Sequence, residues 1–372
     1  MIKFFENFLL PRVVYFPFYF AKLFYISFIY PWLFLLKPKN EIRKIAIEAG
    51  EGGWNIIEYQ EIYHSACEYF GNQNVIKLVV NKNYSYISQV CSVLKTEGVT
   101  HYAYSPRTGS ENFLKCWYET FALFFMLSWK GVVPIAFLTD FAQRRWRGQC
   151  AVVTSIQGLV VTLISPKIVS SIFPHSRIVG PYLMAFSGKT LKEINLLASS
   201  CRHGELRPSF VGSLYSPREE KLLKIQEILS KKGIEFSITA RKLGSKRIPN
   251  EDYWKSIISS GIILTTADQM DQPGSDWKWL NHFIYRYTEA CVCGVLLVAP
   301  EIDGIQKYLV PGEHFVSFRN EQEAAEKIEF YMKNENERIK IAKAGKDRVE
   351  SLIKTRDFWK TLDLCLGSSG IY

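Results

Sequence analysis

The side chains best placed for chemistry are charged groups next to glycines at the ends of apolar runs. Glu289 lies on a helix that faces the end of a buried strand, and Arg286 stands three residues earlier, able to hold an anion or to pair with Glu289. Further back, Gly212-Ser213 closes the apolar run that begins at Ser209, and Arg218, Lys221, Arg241 and Lys242 follow it. Cations so placed can offset the charge on a leaving diphosphate without a metal. They can equally form a solvated helix face beside Glu219 and Glu220. In the first half, Gly50-Glu51-Gly52-Gly53 comes directly after the apolar run Ile45–Ala49. Glycines there let the backbone approach a ligand, and the next helix offers free amide donors to an anion; the alternative is an ordinary tight turn. The spacing is not G-x-G-x-x-G and no acidic ribose ligand follows, so a nicotinamide dinucleotide site has little support.

For a general base the candidates are Glu51, His101 and Asp140. Asp140 ends an apolar run and precedes Arg144, Arg145 and Arg147. Those cations can hold it ionised, or it can cap a helix in a solvated turn. His101 suits a half-buried strand position as well as catalysis. The arginine cluster either binds a phosphate or faces solvent.

These residues need elements to position them. From Ile42 the pattern alternates short apolar runs with amphipathic stretches. Strands are expected at Ile45–Ala49, Val75–Val80, Thr100–Ser105, Val132–Thr139 and Ala151–Ile156, with helices through Phe70, over Tyr84–Thr96 and over Ser110–Trp129. A second series starts at Arg207-Pro208: a strand to Leu214, a helix over Pro217–Lys232, a strand over Ile234–Thr239, a helix over Tyr253–Ser259, and strands over Gly261–Thr266 and Val295–Ala299. Residues 176–186, with an internal Gly-Pro, read as the apolar run that carries the chain between the two series. Glu321–Lys333 is an amphipathic helix with Ala325, Ile328 and Met332 on its core face. Strands and helices in this order predict doubly wound parallel sheets, which bind ligands beyond the carboxyl ends of their strands. A chain of 372 residues suits two such domains.

The formal charge of +10 is concentrated in two places. Residues 1–44 hold seven Lys/Arg against two Glu, and residues 218–247 hold nine against four. A nucleic-acid binder would spread a basic stripe with interleaved aromatics across a domain, so the patches point instead to lipid headgroups and a phosphate-bearing ligand. Residues 1–38 are apolar, dense in aromatics between Tyr15 and Trp32, and interrupted by Lys22, Pro17 and Pro31. A monotopic or re-entrant membrane element fits best; a spanning helix and an extension packed on the protein itself are the alternatives. No small-residue cleavage site follows, so a signal peptide is not expected. The basic residues Lys37 to Lys44 place the body on the cytoplasmic face. The eight cysteines lack framework spacing and mostly sit in apolar runs, as reduced buried thiols do. Cys291 and Cys293 have no second ligand pair for zinc.

Glu289-Ala290, Gly294, Pro311-Gly312-Glu313 and Ile341-Ala342-Lys343-Ala344-Gly345 fall in an order and spacing that resembles the donor domain of group-1 and group-4 GT-B glycosyltransferases. Phe210-Val211-Gly212 resembles the opening strand of the same domain, although Ser213 stands where an Arg is common. The resemblance implies an α/β chain of the GT-B fold, two Rossmann-like domains facing a cleft. The first would span residues 39–200 and the second 201–354, with a tail at 355–372 crossing back to the first. It implies transfer of a sugar from a nucleotide diphosphate sugar to a hydroxyl acceptor, a glycan or a lipid-linked one, with no metal cofactor. Glu289 would take the ribose hydroxyls, Gly212, Ser213 and the basic side chains the diphosphate, and Glu301 or Asp303 the sugar. Gly50, Gly52 and Gly53 would line the cleft. Asn281 replaces an earlier Glu of the family pattern, which leaves retention or inversion open. A GT-B epimerase and a non-catalytic scaffold of a glycan-assembly complex are the competing readings.

Overall fold

The computed structural model describes residue 42 and residues 44–367, except 50–56, 82, 97, 107–111, 140, 156–157, 174–175, 202–205, 243–247, 272–276, 278–279 and 355. The expected membrane element at 1–38 therefore lies outside the described residues. Among the described residues no helix is long and apolar enough to cross a membrane.

The first domain is built on a six-stranded sheet of β1 (Ile45–Glu48), β2 (Val75–Leu78), β3 (His101–Tyr104), β4 (Val133–Leu138), β5 (Leu159–Thr162) and β6 (Arg177–Val179). Its order is β2-β1-β3-β4-β5-β6 and every pairing is parallel. The strands are short because both faces are covered. Side chains alternate between faces, so Ile45, Ile47, Phe137 and Val161 enter one core and Ala46, Tyr102, Leu138 and Val160 the other. Helices α1 (Ile57–Phe70), α2 (Tyr86–Leu94), α3 (Phe113–Lys130) and α4 (Arg144–Val153) connect the strands. Ser85 and Asn112 cap α2 and α3 by accepting from Ser88 N and Lys115 N. Gly131, at φ 62, ends α3 in the left-handed conformation that a side chain disfavours.

The strand expected over Ala151–Ile156 is instead the last turn of α4 and the turn after it. Its β-branched run reads as extended in isolation. The helix prevails because Arg147, Cys150 and Val153 recur at helical spacing and are all buried. The chain then folds back so tightly that a Cβ on Gly158 would lie 2.6 Å from Thr154 Cα. The true fifth strand starts just beyond, at Leu159. The run at 176–186 likewise supplies a sixth strand before helix α5 (Gly188–Ser200) leads towards the second domain.

The second sheet contains β7 (Pro208–Leu214), β8 (Ser237–Lys242), β9 (Ile262–Leu264), β10 (Leu296–Pro300) and β11 (Val316–Phe318), in the order β11-β10-β9-β7-β8, again parallel. Helices α6 (Arg218–Ser230), α7 (Asn250–Ile258), α8 (Arg286–Val292), α9 (Glu321–Lys333) and α10 (Glu335–Lys354) cover it. The strand expected at Ile234–Thr239 begins later, at Ser237, where its pairing with Ser209 starts. Strand order reverses between β1 and β3 in the first sheet and between β7 and β9 in the second. Such switch points open a crevice at the carboxyl ends of the strands.

A last helix, α11 (Asp357–Gly367), packs on the first domain. Trp359, buried, donates its indole N–H to Ser65 Oγ at 3.0 Å, and Phe358 stacks 6.2 Å from Phe137. Arg177 Nη1 donates to the carbonyls of Cys365 and Leu366 at 2.9 and 2.5 Å, satisfying the helix end. Further contacts join the domains: Phe283 N donates to Leu163 O at 2.8 Å, and Phe186 stacks on Tyr285 at 4.8 Å.

Candidate functional site

At the switch point of the second sheet, β7 and β9 diverge and two guanidinium groups fill the gap. Arg218 opens α6 and turns back over the strand ends. Its Nε donates to Thr266 Oγ1 at 3.0 Å, Nη2 to Thr266 O at 3.4 Å and Nη1 to Ser213 O at 3.3 Å. The same group lies 4.2 Å from the centre of the Tyr215 ring and 5.7 Å from that of Phe210. Planar stacking of this kind is specific to arginine. Burial holds the Arg218 pKa below its ordinary value, and the charge of Arg286 pushes it the same way.

Arg286, the first residue of α8, is 9% exposed. Its Nε lies 3.4 Å from Glu289 Oε2, and its guanidinium sits 5.1 Å from the centre of the Tyr253 ring. Burial would lower its pKa, but the Glu289 carboxylate outweighs that and leaves it raised. Among the described residues its buried Nη1 has no hydrogen-bond partner. Glu289, 3% exposed, accepts a hydrogen bond from Tyr253 OH at 2.7 Å. Gly212 completes the wall: a Cβ there would stand 3.4 Å from Arg286 Nη2 and 3.0 Å from Phe210 Cζ. A larger residue would press the guanidinium out of place. Behind them Lys221 Nζ pairs with Asp268 Oδ1 at 2.6 Å, and the buried Asp268 Oδ2 has no partner among the described residues.

The structure thus gathers Gly212, Ser213, Arg218, Lys221, Arg286 and Glu289. Arg241 and Lys242 end β8, with their backbones in register with Ser213 and Leu214, at the same end of the sheet. Glu301 and Asp303 lie apart, in the exposed loop after β10. Glu301 accepts from Gln306 Nε2 at 2.5 Å, and the adjacent Gly304 packs so closely that a Cβ would fall 2.9 Å from Pro181 Cδ of the first domain. The geometry makes that loop a domain contact rather than part of the guanidinium cluster.

In the first domain, Gly50, Glu51, Gly52, Gly53 and Asp140 lie outside the described residues. By sequence they fall just after the carboxyl ends of β1 and β4. His101 requires correction as a base. It is fully buried at the first position of β3, the end of the strand away from the crevice, with Nδ1 2.9 Å from Thr100 Oγ1. The arginine cluster also divides. Arg147 is buried and donates to the carbonyls of Phe141 and Ala142 at 2.7 and 2.9 Å, stacked against Phe141 and Trp277, so it holds a loop rather than a phosphate.

Sequence reasoning passed over Glu48, Tyr253 and Asp268. Glu48 ends β1 at the first switch point, 3% exposed, accepting from Tyr86 OH at 2.6 Å, from Tyr102 OH and from Ser105 N at 3.2 Å. A carboxylate closing an otherwise apolar strand was its visible signal. Tyr253 carried none, because its partners come from another helix. The loop holding Asp268 also supplies Gln269, which accepts from Ala142 N at 2.5 Å, and so ties the second domain to the segment after β4. Cys291 and Cys293 are buried, the thiol of Cys291 pushed up to about 12 by desolvation. Among the described residues no three His, Cys, Asp or Glu side chains are grouped as a metal site would require.

Residues 218–362 match the family model described as glycosyl transferase-like. No curated protein matches the chain significantly. Among solved structures, sucrose-phosphate synthase from Thermosynechococcus elongatus is similar at a TM-score of 0.54, with 11% identity over 87% of this chain and 97% of that one. HepE from Anabaena, solved in complex with UDP-glucose, is similar at 0.53, with 12% identity over 86% of this chain and 99% of that one. A glycosyltransferase from Rickettsia africae gives 0.51, with 9% identity over 88% and 99%. At such identities the likeness carries the fold. The chain accordingly has the GT-B fold, and its carboxy-terminal domain is that of a glycosyl transferase-like protein.

Proposed function

We propose that the chain transfers a sugar from a nucleoside diphosphate sugar to a hydroxyl acceptor. The observation that carries this reading is the pair of buried guanidiniums, Arg218 and Arg286, at the switch point of the glycosyl transferase-like domain. Two cations held close in a desolvated site are costly alone and favourable around a polyanion. Charge then develops on the leaving diphosphate where fixed donors already wait, and no metal is needed to stabilise it. Gly212 gives the phosphates room beside Arg286. Glu289, held by Tyr253, receives the ribose hydroxyls. Arg241 and Lys242 extend the cationic end of the sheet. HepE in complex with UDP-glucose supports the class of donor.

On the acceptor side the base is assigned to Asp140 or Glu51, which follow strand ends of the first sheet. The acceptor is a glycan, presented at a membrane by residues 1–38 with the body on its cytoplasmic face. Calorimetric titration of the full chain with UDP, GDP, ADP and CMP, with Glu289→Ala beside it, tests the donor site. One nucleoside diphosphate should bind, and the substitution should weaken it by about tenfold or more. A folded protein that binds none of the four would remove the reading. Binding without sugar turnover on any supplied acceptor would favour a non-catalytic scaffold, and epimerised free sugar an epimerase.

A further inference from the structure

Helix α3 has two apolar faces. One buries Cys116, Trp117, Leu123, Phe124 and Leu127 against the sheet. The other turns Leu114, Tyr118, Phe125 and Trp129 outward, at 76, 69, 49 and 74% exposure. At about 100° per residue these four fall within an arc of about 60°, along about 22 Å of helix. Scattered exposed apolar side chains are normal; a continuous stripe of large ones marks a surface with a partner.

The charges around the stripe say which partner. Helices α2, α3 and α4 form one layer over the first sheet. They carry Lys115, Lys130, Arg144, Arg145 and Arg147, against the single acid Glu119, which is buried. Helix α1, on the other face, carries Glu58, Glu61 and Glu68 and no Lys or Arg. The basic and apolar residues therefore share one layer. Arg145 reaches the first turns of α3, with Nε 3.2 Å from Cys116 Sγ, and Lys130 closes the last turn. Large apolar side chains flanked by cations, with acids withdrawn, complement an anionic lipid surface. Where the preceding chain enters the fold points the same way. Lys44 and Thr100 are hydrogen-bonded, Val133 N donates to Thr100 O, and Val132 N donates to Leu127 O. The aromatic and basic residues 1–41 thus join the fold beside the Trp129–Lys130 end of α3.

We infer that the outer face of α3, from Leu114 to Trp129, lies on an anionic bilayer surface. It is a contact additional to residues 1–38. With α3 against the lipid, the segment after β4, which opens α4 in the same layer, stands at the bilayer surface. The inference does not depend on sugar transfer.

The test is flotation of the full chain with vesicles of phosphatidylcholine alone and of phosphatidylcholine mixed with phosphatidylglycerol. Combined Leu114→Gln, Tyr118→Gln and Trp129→Gln should lower partitioning onto mixed vesicles by at least about tenfold. Combined Lys115→Gln, Lys130→Gln and Arg144→Gln should lower binding only to the mixed vesicles and abolish its salt dependence. Unchanged flotation of the apolar variant, with its melting temperature preserved, would overturn the inference, because residues 1–41 would then carry all the binding. A fall in the apolar variant's melting temperature would overturn it in favour of a face covered by the chain itself. Loss of a dimer in light scattering, with flotation intact, would assign the stripe to a second copy of the chain.

Discussion

The crevices of the two sheets both contain a buried carboxylate, and the two are held in different ways. Glu289, in the second domain, has the Arg286 guanidinium 3.4 Å away, and Arg218 bridges the neighbouring strand ends. Glu48, in the first domain, accepts from two tyrosine hydroxyls and a backbone N–H. A carboxylate held by neutral donors serves the fold and leaves no surplus positive charge nearby. A carboxylate that offsets only part of a pair of buried cations leaves a field for an anion. The contrast teaches that the donor domain is assembled in advance, whereas the first domain's chemistry has to come from its loops. Substitutions at these sites can break or sharpen the contrast.

The largest effect is expected at Arg286. Arg286→Met keeps much of the apolar stem but leaves Glu289 buried without its cation, which costs about 3–5 kcal/mol of stability. Affinity for the preferred nucleoside diphosphate should fall by at least about a hundredfold, because a buried charged contact is lost. Urea melts and calorimetry measure the two losses. Stability lost with affinity retained would show that the guanidinium only neutralises Glu289, and the contrast between the sheets would collapse. Next comes Arg218→Lys, which keeps the charge but loses the fork to Thr266 and Ser213 and the stacking on Tyr215. A fall in affinity of about tenfold is expected, with a destabilisation of about 1–2 kcal/mol.

Glu48→Gln probes the other side. The amide keeps one acceptor oxygen and turns an N–H₂ towards a hydroxyl or N–H that already donates. The expected cost is about 1–3 kcal/mol in urea melts. Nucleotide affinity should stay within about twofold of the original, since no contact joins Glu48 to the guanidinium pair and distant sites act additively. A large loss of affinity would mean that the two crevices are coupled across the cleft.

How far the sequence revealed this arrangement depended on distance along the chain. The doubly wound pattern was legible because apolar runs and amphipathic stretches alternate, and α9 falls on the expected span Glu321–Lys333. Gly212, Arg218, Arg286 and Glu289 stood out because each lies next to the end of an apolar run, where the fold brings ligands. Tyr253 gave no signal, because its meaning comes from Glu289, 36 positions away. The run at Ala151–Ile156 misled for the opposite reason: its local β-branched composition is genuine, but burial of Arg147, Cys150 and Val153 on one side of a helix overrides it. His101 was ambiguous until strand direction was known, since a histidine at either end of β3 looks alike in sequence. Glu48 was hidden inside a run read as wholly apolar, although a charge at the last position of a buried strand is the kind of exception worth weighing.

The smallest effect tests whether the contrast extends beyond the crevices. Glu61, on α1, is another buried carboxylate of the first domain held by neutral donors. It accepts from Ser187 N at 2.7 Å and Thr190 Oγ1 at 2.6 Å, at the start of α5. Burial raises its pKa above the ordinary 4.5, and hydrogen bonds from Thr190 and Ser187, with His64 nearby, only partly oppose this. Tyr285, which burial keeps neutral well above its usual range, feels the same carboxylate. A raised carboxyl pKa means that the folded state holds the proton more tightly than the unfolded chain does. The stability linked to that proton is fully present below about pH 4.5 and is lost as the pH rises through the folded-state value. Urea melts of the original chain and of Glu61→Gln, compared from pH 4.5 towards neutrality, should show the original losing ground to the variant. If it gains instead, the hydrogen bonds outweigh burial. Neutral donors would then hold an ionised carboxylate as well as Arg286 does, and the two domains would differ less than their crevices suggest.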